Sequence, residues 1–413
     1  MLLSTLLLAL PFVAAAPSPW QADDSPAHAL FKRQQASGAA AAPAPGASGS
    51  KYPAELQVPK QSPKEWTDKL KSVQIADVPV AQKDPASDNA VIYPGNPSMD
   101  ELSDAKGRYC AYSTGCMREG DIRDLPEGVF GLTFDDGPGE GTQLLSDFLE
   151  SKQMSSHATH FFIGGNTAAN KTAFDLVFNR GGQIAAHTWS HPRMTTLTNE
   201  EVVAEIGWSL QVIYDYSGGR IPAYWRPPYG DVDNRVRDIA TKVFGVKTVL
   251  WNSDTNDWKI PTEGKGPVEQ IFDQWATGPK TVGHNTLMHE IRTATVEVFI
   301  SKYDTIVNNG WKIQSIAEAT NGDMYLNAKD NKAPVTQMSI AAGGGSTQNS
   351  TSSGGASGSA SGSSAPSGTK SGSSATPSSS SAAAGPSASS TGAAGRAVPG
   401  VAVLLAAAAA YLL

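Results

Sequence analysis

The chain reads as an α/β protein built on a parallel sheet, with enough strand–helix units to curve into a barrel. Two observations carry this reading. Short apolar strand candidates alternate with helix-like stretches, and polar clusters fall at the strand ends one after another. The strand candidates cover residues 129–134, 158–163, 183–186, 224–226, 248–251 and 286–288. Between them, Thr198-Asn199-Glu200-Glu201 resembles a capping box that opens a helix running to about residue 216. Residues 233–244, 268–275 and 295–308 continue the alternation, the last closing at Asn309-Gly310. Seven or eight such units predict a barrel, whose chemistry sits at the C-terminal ends of the strands.

The 413 residues could hold two domains by length, but much of the chain is not core material. Residues 1–16 form an apolar run ending in Ala14-Ala15-Ala16, which reads as a secretory signal peptide. Residues 17–99 are an Ala/Pro-rich lead-in that is partly a candidate propeptide. Lys32-Arg33 offers a dibasic processing point, although a lone basic pair is more often a solvated spot. The expected domain spans residues 100–322, and the later part of the lead-in could pack onto it. Residues 343–395 are almost entirely Ser, Gly, Ala, Thr and Pro, too poor in apolar area to offset ordering entropy, and so read as a disordered, O-glycosylated stalk. Residues 396–413 form a tail that is apolar after Arg396. It matches a GPI-attachment signal better than a transmembrane anchor, being marginal in length and without a basic cluster beyond it. The expectation is a secreted monomer, GPI-anchored at the outer face of the plasma membrane or passed to the cell wall.

Cys110 and Cys116, the only cysteines, are expected to form one disulfide in an exported chain. Asn170-Lys171-Thr172 and Asn349-Ser350-Thr351 are glycosylation acceptors. A net charge of -7 argues against nucleic acid as a partner.

The chemistry centres on Val129-Phe130-Gly131-Leu132-Thr133-Phe134-Asp135-Asp136-Gly137-Pro138, an apolar strand ending in two adjacent carboxylates and a breaker. Alone, Asp-Asp-Gly-Pro reads as a surface turn. On a strand, neighbouring side chains face opposite ways, so Asp135 and Asp136 can take different jobs. The next polar cluster is His187-Thr188-Trp189-Ser190-His191, whose histidines would share one face if the segment turned helically. With one carboxylate they make a His/His/Asp set, the composition of a catalytic site for Zn²⁺ or a similar ion. In Trp225-Arg226-Pro227-Pro228-Tyr229-Gly230, two prolines stiffen the backbone around Arg226 and the Tyr229 amide. Trp251 to Trp258 brings acids and tryptophans together, aromatic faces that suit sugar rings. Leu287-Met288-His289 delivers one further histidine at a strand end.

In order, Thr133-Phe134-Asp135-Asp136, His187-Thr188-Trp189-Ser190-His191, Arg226-Pro227-Pro228-Tyr229-Gly230, Asp254-Thr255-Asn256-Asp257-Trp258 and Leu287-Met288-His289 resemble the five motifs of carbohydrate esterase family 4. This is the NodB-homology, or polysaccharide deacetylase, family. Each motif is weak alone; five in sequence over about half the chain are specific, and with the stalk and anchor the chain looks like a fungal chitin deacetylase. The resemblance implies a distorted (β/α) barrel flanked by disordered segments. Asp136, His187 and His191 would hold a divalent metal, Zn²⁺ or Co²⁺. Asp135 would be the general base, with Arg226 orienting it and keeping it ionised. The Tyr229 N–H would bind the oxyanion. His289 would be the general acid, its pKa raised by Asp257, and Trp258 and Leu287 would wall the acetyl pocket. Glu290 departs from the Asp that many relatives carry after the last histidine and receives no role. The implied reaction is removal of N-acetyl groups from N-acetylglucosamine in chitin during cell-wall remodelling. The alternatives are another acetylated polysaccharide, such as acetylxylan or a peptidoglycan-like glycan, and a non-catalytic glycan-binding wall protein.

Overall fold

The computed structural model describes residues 51–342. The expected signal peptide, dibasic point, stalk, anchor and Asn349 lie outside the described residues. The core is two parallel sheets. One takes the order β4 (Thr133–Gly137), β5 (Thr159–Phe162), β6 (Gln183–Ala186), β7 (Tyr224–Trp225), β8 (Lys247–Thr248). The other takes the order β11 (Lys312–Gln314), β3 (Val129–Gly131), β10 (His284–Leu287), β9 (Ser253–Asp254). A separate antiparallel hairpin, β1 (Gln82–Asp84) with β2 (Ser87–Ile92), precedes them. The two core sheets meet through a parallel bridge between Asp135 and His289, so the expected barrel is a distorted one made of two sheets.

Side-chain alternation explains why these strands read as continuous apolar runs. Phe162, Ala186 and Trp225 face one apolar cluster, while their neighbours Phe161, Ala185 and Tyr224 face another. A parallel strand covered on both faces has no polar side to show. Helices α1 (Lys64–Ser72), α2 (Thr142–Ser151), α3 (Gly164–Ala169), α4 (Lys171–Asn179), α5 (Asn199–Tyr216), α6 (Asn234–Ile239), α7 (Gly266–Thr277) and α8 (Thr293–Asn308) lie around the sheets. The expected capping box opens α5: Thr198 Oγ1 accepts from Glu201 N–H, and the Glu201 carboxylate accepts from Thr198 N–H.

Three expectations shift. The strand at 129–134 is interrupted at Leu132, and the acids belong to the second piece, β4. The 248–251 strand shortens to Lys247–Thr248, with Ser253–Asp254 forming its own strand on the other sheet. The 233–244 helix is α only to Ile239 and continues as a π-helical turn over Ala240–Phe244, closed by Gly245 at φ 78°. Buried Val236, Ile239, Val243 and Phe244 keep an apolar face through that change of winding, so the sequence pattern does not reveal it.

The packed body extends beyond residues 100–322 at both ends. Trp66 on α1 is 2% exposed and sits edge-on to Trp208 and Phe244. Truncating a buried aromatic of this size costs about 3–5 kcal/mol. Trp208 Nε1 donates to the Gln61 carbonyl, and Tyr325, Ile340 and Ala341 are buried in the same body.

Candidate active site

β4 turns sharply at its end. Asp135 is paired across to β5, but Asp136 adopts φ 68° and the register slips before Gly137. The expectation that strand alternation sends the two acids apart therefore needs correction: a left-handed residue redirects Asp136. Both carboxylates face His187 Nε2, from 3.8 Å for Asp135 and 3.4 Å for Asp136. Asn166 Nδ2 donates to the Asp136 carbonyl at 2.9 Å and ties α3 to the turn.

The His187–His191 segment is not helical, which corrects the second geometric expectation. Thr188 and His191 take φ 64° and 60°, folding the segment into a compact loop in which the imidazole centroids lie 4.9 Å apart. His187 Nδ1 donates to the Arg226 carbonyl at 2.7 Å, which fixes the tautomer and leaves Nε2 as a lone-pair donor. His191 Nε2 lies 3.1 Å from Asp136 Oδ1, and its Nδ1 is paired with the Tyr229 hydroxyl at 3.2 Å. The candidate ligand atoms of Asp136, His187 and His191 all fall within 4.8 Å of one another. Asp136 Oδ1 is buried with no hydrogen-bond donor. A buried, donorless carboxylate oxygen between two imidazole nitrogens fits a divalent cation, and two nitrogens with one carboxylate suit an ion of zinc's character.

Asp135 is held from behind. Arg226, fully buried, places Nη1 at 2.7 Å from Asp135 Oδ1 and 2.9 Å from Thr133 Oγ1, and Nη2 at 3.1 Å from Asn285 Oδ1. Its guanidinium lies 4.2 Å from the centre of the Phe161 ring. Burial lowers its pKa and Asp135 opposes that, but a guanidinium stays charged in proteins. Across the site, Asp257 grips His289 twice, Oδ1 to Nδ1 at 2.5 Å and Oδ2 to the backbone N–H at 2.8 Å. Burial alone would push His289 down, but Asp257, reinforced by Asp136 and Asp135, takes it up to about 10. Tyr229 (φ 61°) and Gly230 (φ 65°) make a left-handed turn after the two prolines. Non-glycine residues in that region cost about 1–3 kcal/mol each and gather at functional sites. Here Asp136, Thr188, His191 and Tyr229 gather at one.

The remaining expected residues are less concentrated. Trp258, 38% exposed, stands beside Asp257 with the Lys259 ammonium over its ring. Leu287 is buried in β10, its carbonyl accepting from Thr255. Cys110 and Cys116 form the disulfide. Asn170 caps α4, accepting from Ala173 N–H through its side-chain oxygen.

Glu205 has no place in the sequence pattern of the site, and Glu290 receives no role in it. Glu205, fully buried on α5, accepts from the Trp189 N–H at 2.8 Å, the Ser190 N–H at 2.9 Å and the Ser190 hydroxyl at 2.5 Å, so it grips the backbone between the two histidines. The signal was a carboxylate inside Val202-Val203-Ala204-Glu205-Ile206, an acid on an apolar stretch. Glu205→Ala frees the backbone between His187 and His191 and is expected to weaken metal binding, by at most about the 10- to 100-fold that loss of a direct partner of a metal ligand costs. Zn²⁺ titration against a chelating dye checks this, and unchanged affinity would contradict it. Glu290, buried behind His289, pairs with His160 Nδ1 at 2.6 Å. Its N–H also donates to the Asp135 carbonyl at 3.2 Å, tying the strand that carries His289 to the one that carries Asp135.

A parallel-stranded α/β barrel with an arginine-held carboxylate beside an Asp/His/His triad that could hold a metal ion, and a carboxylate-backed histidine opposite, has the composition of a hydrolase site. The family model for polysaccharide deacetylase matches residues 122–249. Chitin deacetylase 3 of Cryptococcus neoformans var. neoformans is 46% identical over 352 residues, covering 82% of this chain and 82% of the relative. Chitin deacetylase 1 of C. neoformans var. grubii is 36% identical over 275 residues, covering 61% of this chain and 57% of the relative. The structure of the chitin deacetylase from Colletotrichum lindemuthianum aligns with a TM-score of 0.44 and 25% identity, over 48% of this chain and 90% of that one. The chain belongs to the polysaccharide deacetylase family, carbohydrate esterase family 4.

Proposed function

We propose that the chain is a metal-dependent chitin deacetylase, which hydrolyses the N-acetyl amide of N-acetylglucosamine residues to leave chitosan and release acetate. The observation that carries the chemistry is the Asp135 carboxylate, pinned by Arg226 beside the Asp136–His187–His191 triad and outside it. The 46% identity to a chitin deacetylase over most of both chains supports chitin as the substrate. A divalent ion in that triad, Zn²⁺ or Co²⁺, would lower the pKa of water and polarise the acetyl carbonyl.

The chain's own groups supply the proton transfers. Asp135 takes a proton from water as its oxygen attacks the acetyl carbon. The Tyr229 N–H meets the oxyanion of the tetrahedral intermediate. His289, cationic because Asp257 stabilises its charge, gives its proton to the amide nitrogen; the C–N bond breaks, releasing acetate and leaving the sugar amine. Trp258 and Leu287 would border the acetyl methyl.

The same reading places the protein outside the cell as a monomer, held by a GPI lipid at the plasma membrane or passed to the wall. The apolar run at residues 1–16, the Ser/Gly/Ala-rich segment, the apolar tail at residues 396–413 and the Cys110–Cys116 disulfide support it.

The test is acetate release from chitin oligomers and from acetylxylan, before and after chelation. Release from chitin oligomers should vanish with chelator and return with Zn²⁺ or Co²⁺. Release that survives complete chelation would remove the metal from the reading. Release from acetylxylan alone would replace the substrate, and none from any glycan would leave a non-catalytic wall protein.

A further inference from the structure

The disulfide loop sits upstream of the residues matched by the family model, yet it packs against Trp251 and Gly230 beside the site. Between Cys110 and Cys116 it carries Tyr112, whose hydroxyl donates to the Trp251 carbonyl at 2.6 Å and whose ring meets the Trp251 ring edge-on at 5.7 Å. The same ring closes over Gly230: a Cβ added there would lie 2.7 Å from Tyr112 Cδ1 and 3.0 Å from Trp251 Cη2. Gly230 and Tyr229 are the left-handed pair that presents the Tyr229 amide. Trp251 in turn stands 5.8 Å from the Arg226 guanidinium that holds Asp135.

The loop is itself anchored. Buried Arg237 donates through Nη1 to the Cys110 carbonyl and through Nη2 to the Cys116 carbonyl, so one guanidinium spans both ends of the disulfide. Its Nε is paired with Asp121 at 3.0 Å. The Tyr112 N–H donates to the Val232 carbonyl at 3.1 Å, just past the turn it covers. Disulfide, arginine and backbone thus converge on one ring, and that ring packs directly on Gly230 of the turn.

We infer that Tyr112, set by the Cys110–Cys116 loop and Arg237, is a positioning residue that holds the Tyr229–Gly230 turn so that its amide meets the reacting carbonyl oxygen. The inference rests on the deacetylase reading. Tyr112 touches neither the triad nor the proton-transfer groups; its contacts are with the turn at Gly230 and with Trp251. Displacing a donor by about 1 Å costs on the order of 100-fold in rate, because the interaction is made fully only in the transition state.

The experiment is steady-state kinetics on an acetylated chitin oligomer with the Zn²⁺-loaded protein, together with Zn²⁺ affinity and thermal midpoint. Tyr112→Ala should lower kcat by about 100-fold with KM and Zn²⁺ affinity within about threefold of the native chain. Tyr112→Phe, which keeps the ring over Gly230, should restore most of kcat. Replacing both cysteines, Cys110→Ser with Cys116→Ser, should lower kcat in the same direction without moving KM. Should Tyr112→Ala fail to fold, Tyr112→Leu and the cysteine pair carry the same test. Native kcat in the variants that fold overturns the inference, and so does a Tyr112→Phe protein as slow as Tyr112→Ala. Loss confined to KM or Zn²⁺ affinity overturns it as well. A native chain that releases no acetate from any glycan fails the deacetylase reading itself, and the inference with it; an active native chain with an equally active Tyr112→Ala fails the inference alone.

Discussion

Asp135→Asn is expected to reduce kcat by about 10²- to 10⁴-fold while Zn²⁺ affinity stays unchanged. The change removes the proton acceptor while leaving the candidate ligand set intact. Asp136, His187 and His191 supply the candidate ligand atoms, and none depends on Asp135 for its position. The asparagine oxygen can still accept from Arg226 Nη1, and Arg226 keeps Thr133 Oγ1 and Asn285 Oδ1 as acceptors. Arg226 nonetheless loses its only close counter-charge among the described residues, and stranding a buried charge costs about 3–5 kcal/mol. The variant should therefore melt earlier than the native chain yet remain folded and metal-binding. Kinetics, dye-competition titration and a thermal melt separate the three effects. A substantial residual kcat would mean that another group takes the water's proton, and loss of Zn²⁺ affinity would mean that Asp135 is a ligand.

His289→Ala is the second large loss, again about 10²- to 10⁴-fold in kcat, because the amine leaves poorly without its proton. The companion Asp257→Asn tests why His289 can hold that proton. In the native chain the group is cationic below about pH 10, since Asp257 more than compensates for burial. Removing the Asp257 charge withdraws the largest upward influence, so the histidine should lose its proton at lower pH. The alkaline limb of the kcat–pH profile should move toward neutrality, while the acid limb stays in place. An unmoved alkaline limb would assign that ionisation to another group. His289→Ala should abolish any such limb along with the activity, which keeps the two variants distinguishable.

Much of this site was legible in the chain because its chemistry lies in short segments. Asp135-Asp136, His187 with His191, Arg226 with its prolines, Asp257-Trp258 and His289 each occupy a strand end, and strand–helix alternation places successive strand ends at one rim. The α5 capping box and the disulfide are equally local: Thr198 and Glu201 are three residues apart, and the cysteines six. The alternation of apolar strand and amphipathic helix carries the fold class for the same reason, since burial on one or two faces leaves a periodic trace.

Contacts joining distant segments left no such trace. Helical spacing suggested that His187 and His191 share a helix face, whereas left-handed turns at Thr188 and His191 bring the rings together and Glu205 holds the loop from another element. Glu290 looked like an idle departure until His160, 130 residues away, proved to be its partner. Tyr112 carries no signal in the sequence, and its place on Gly230 comes from folding alone. By itself the sequence determined which residue types stand at which strand ends, because hydrophobic periodicity and turn chemistry act between near neighbours. Only the tertiary structure decided how the turn at Asp136 sets both carboxylates toward His187 and which carboxylate steadies the histidine loop. Those assignments depend on burial and on hydrogen-bond partners brought together by folding.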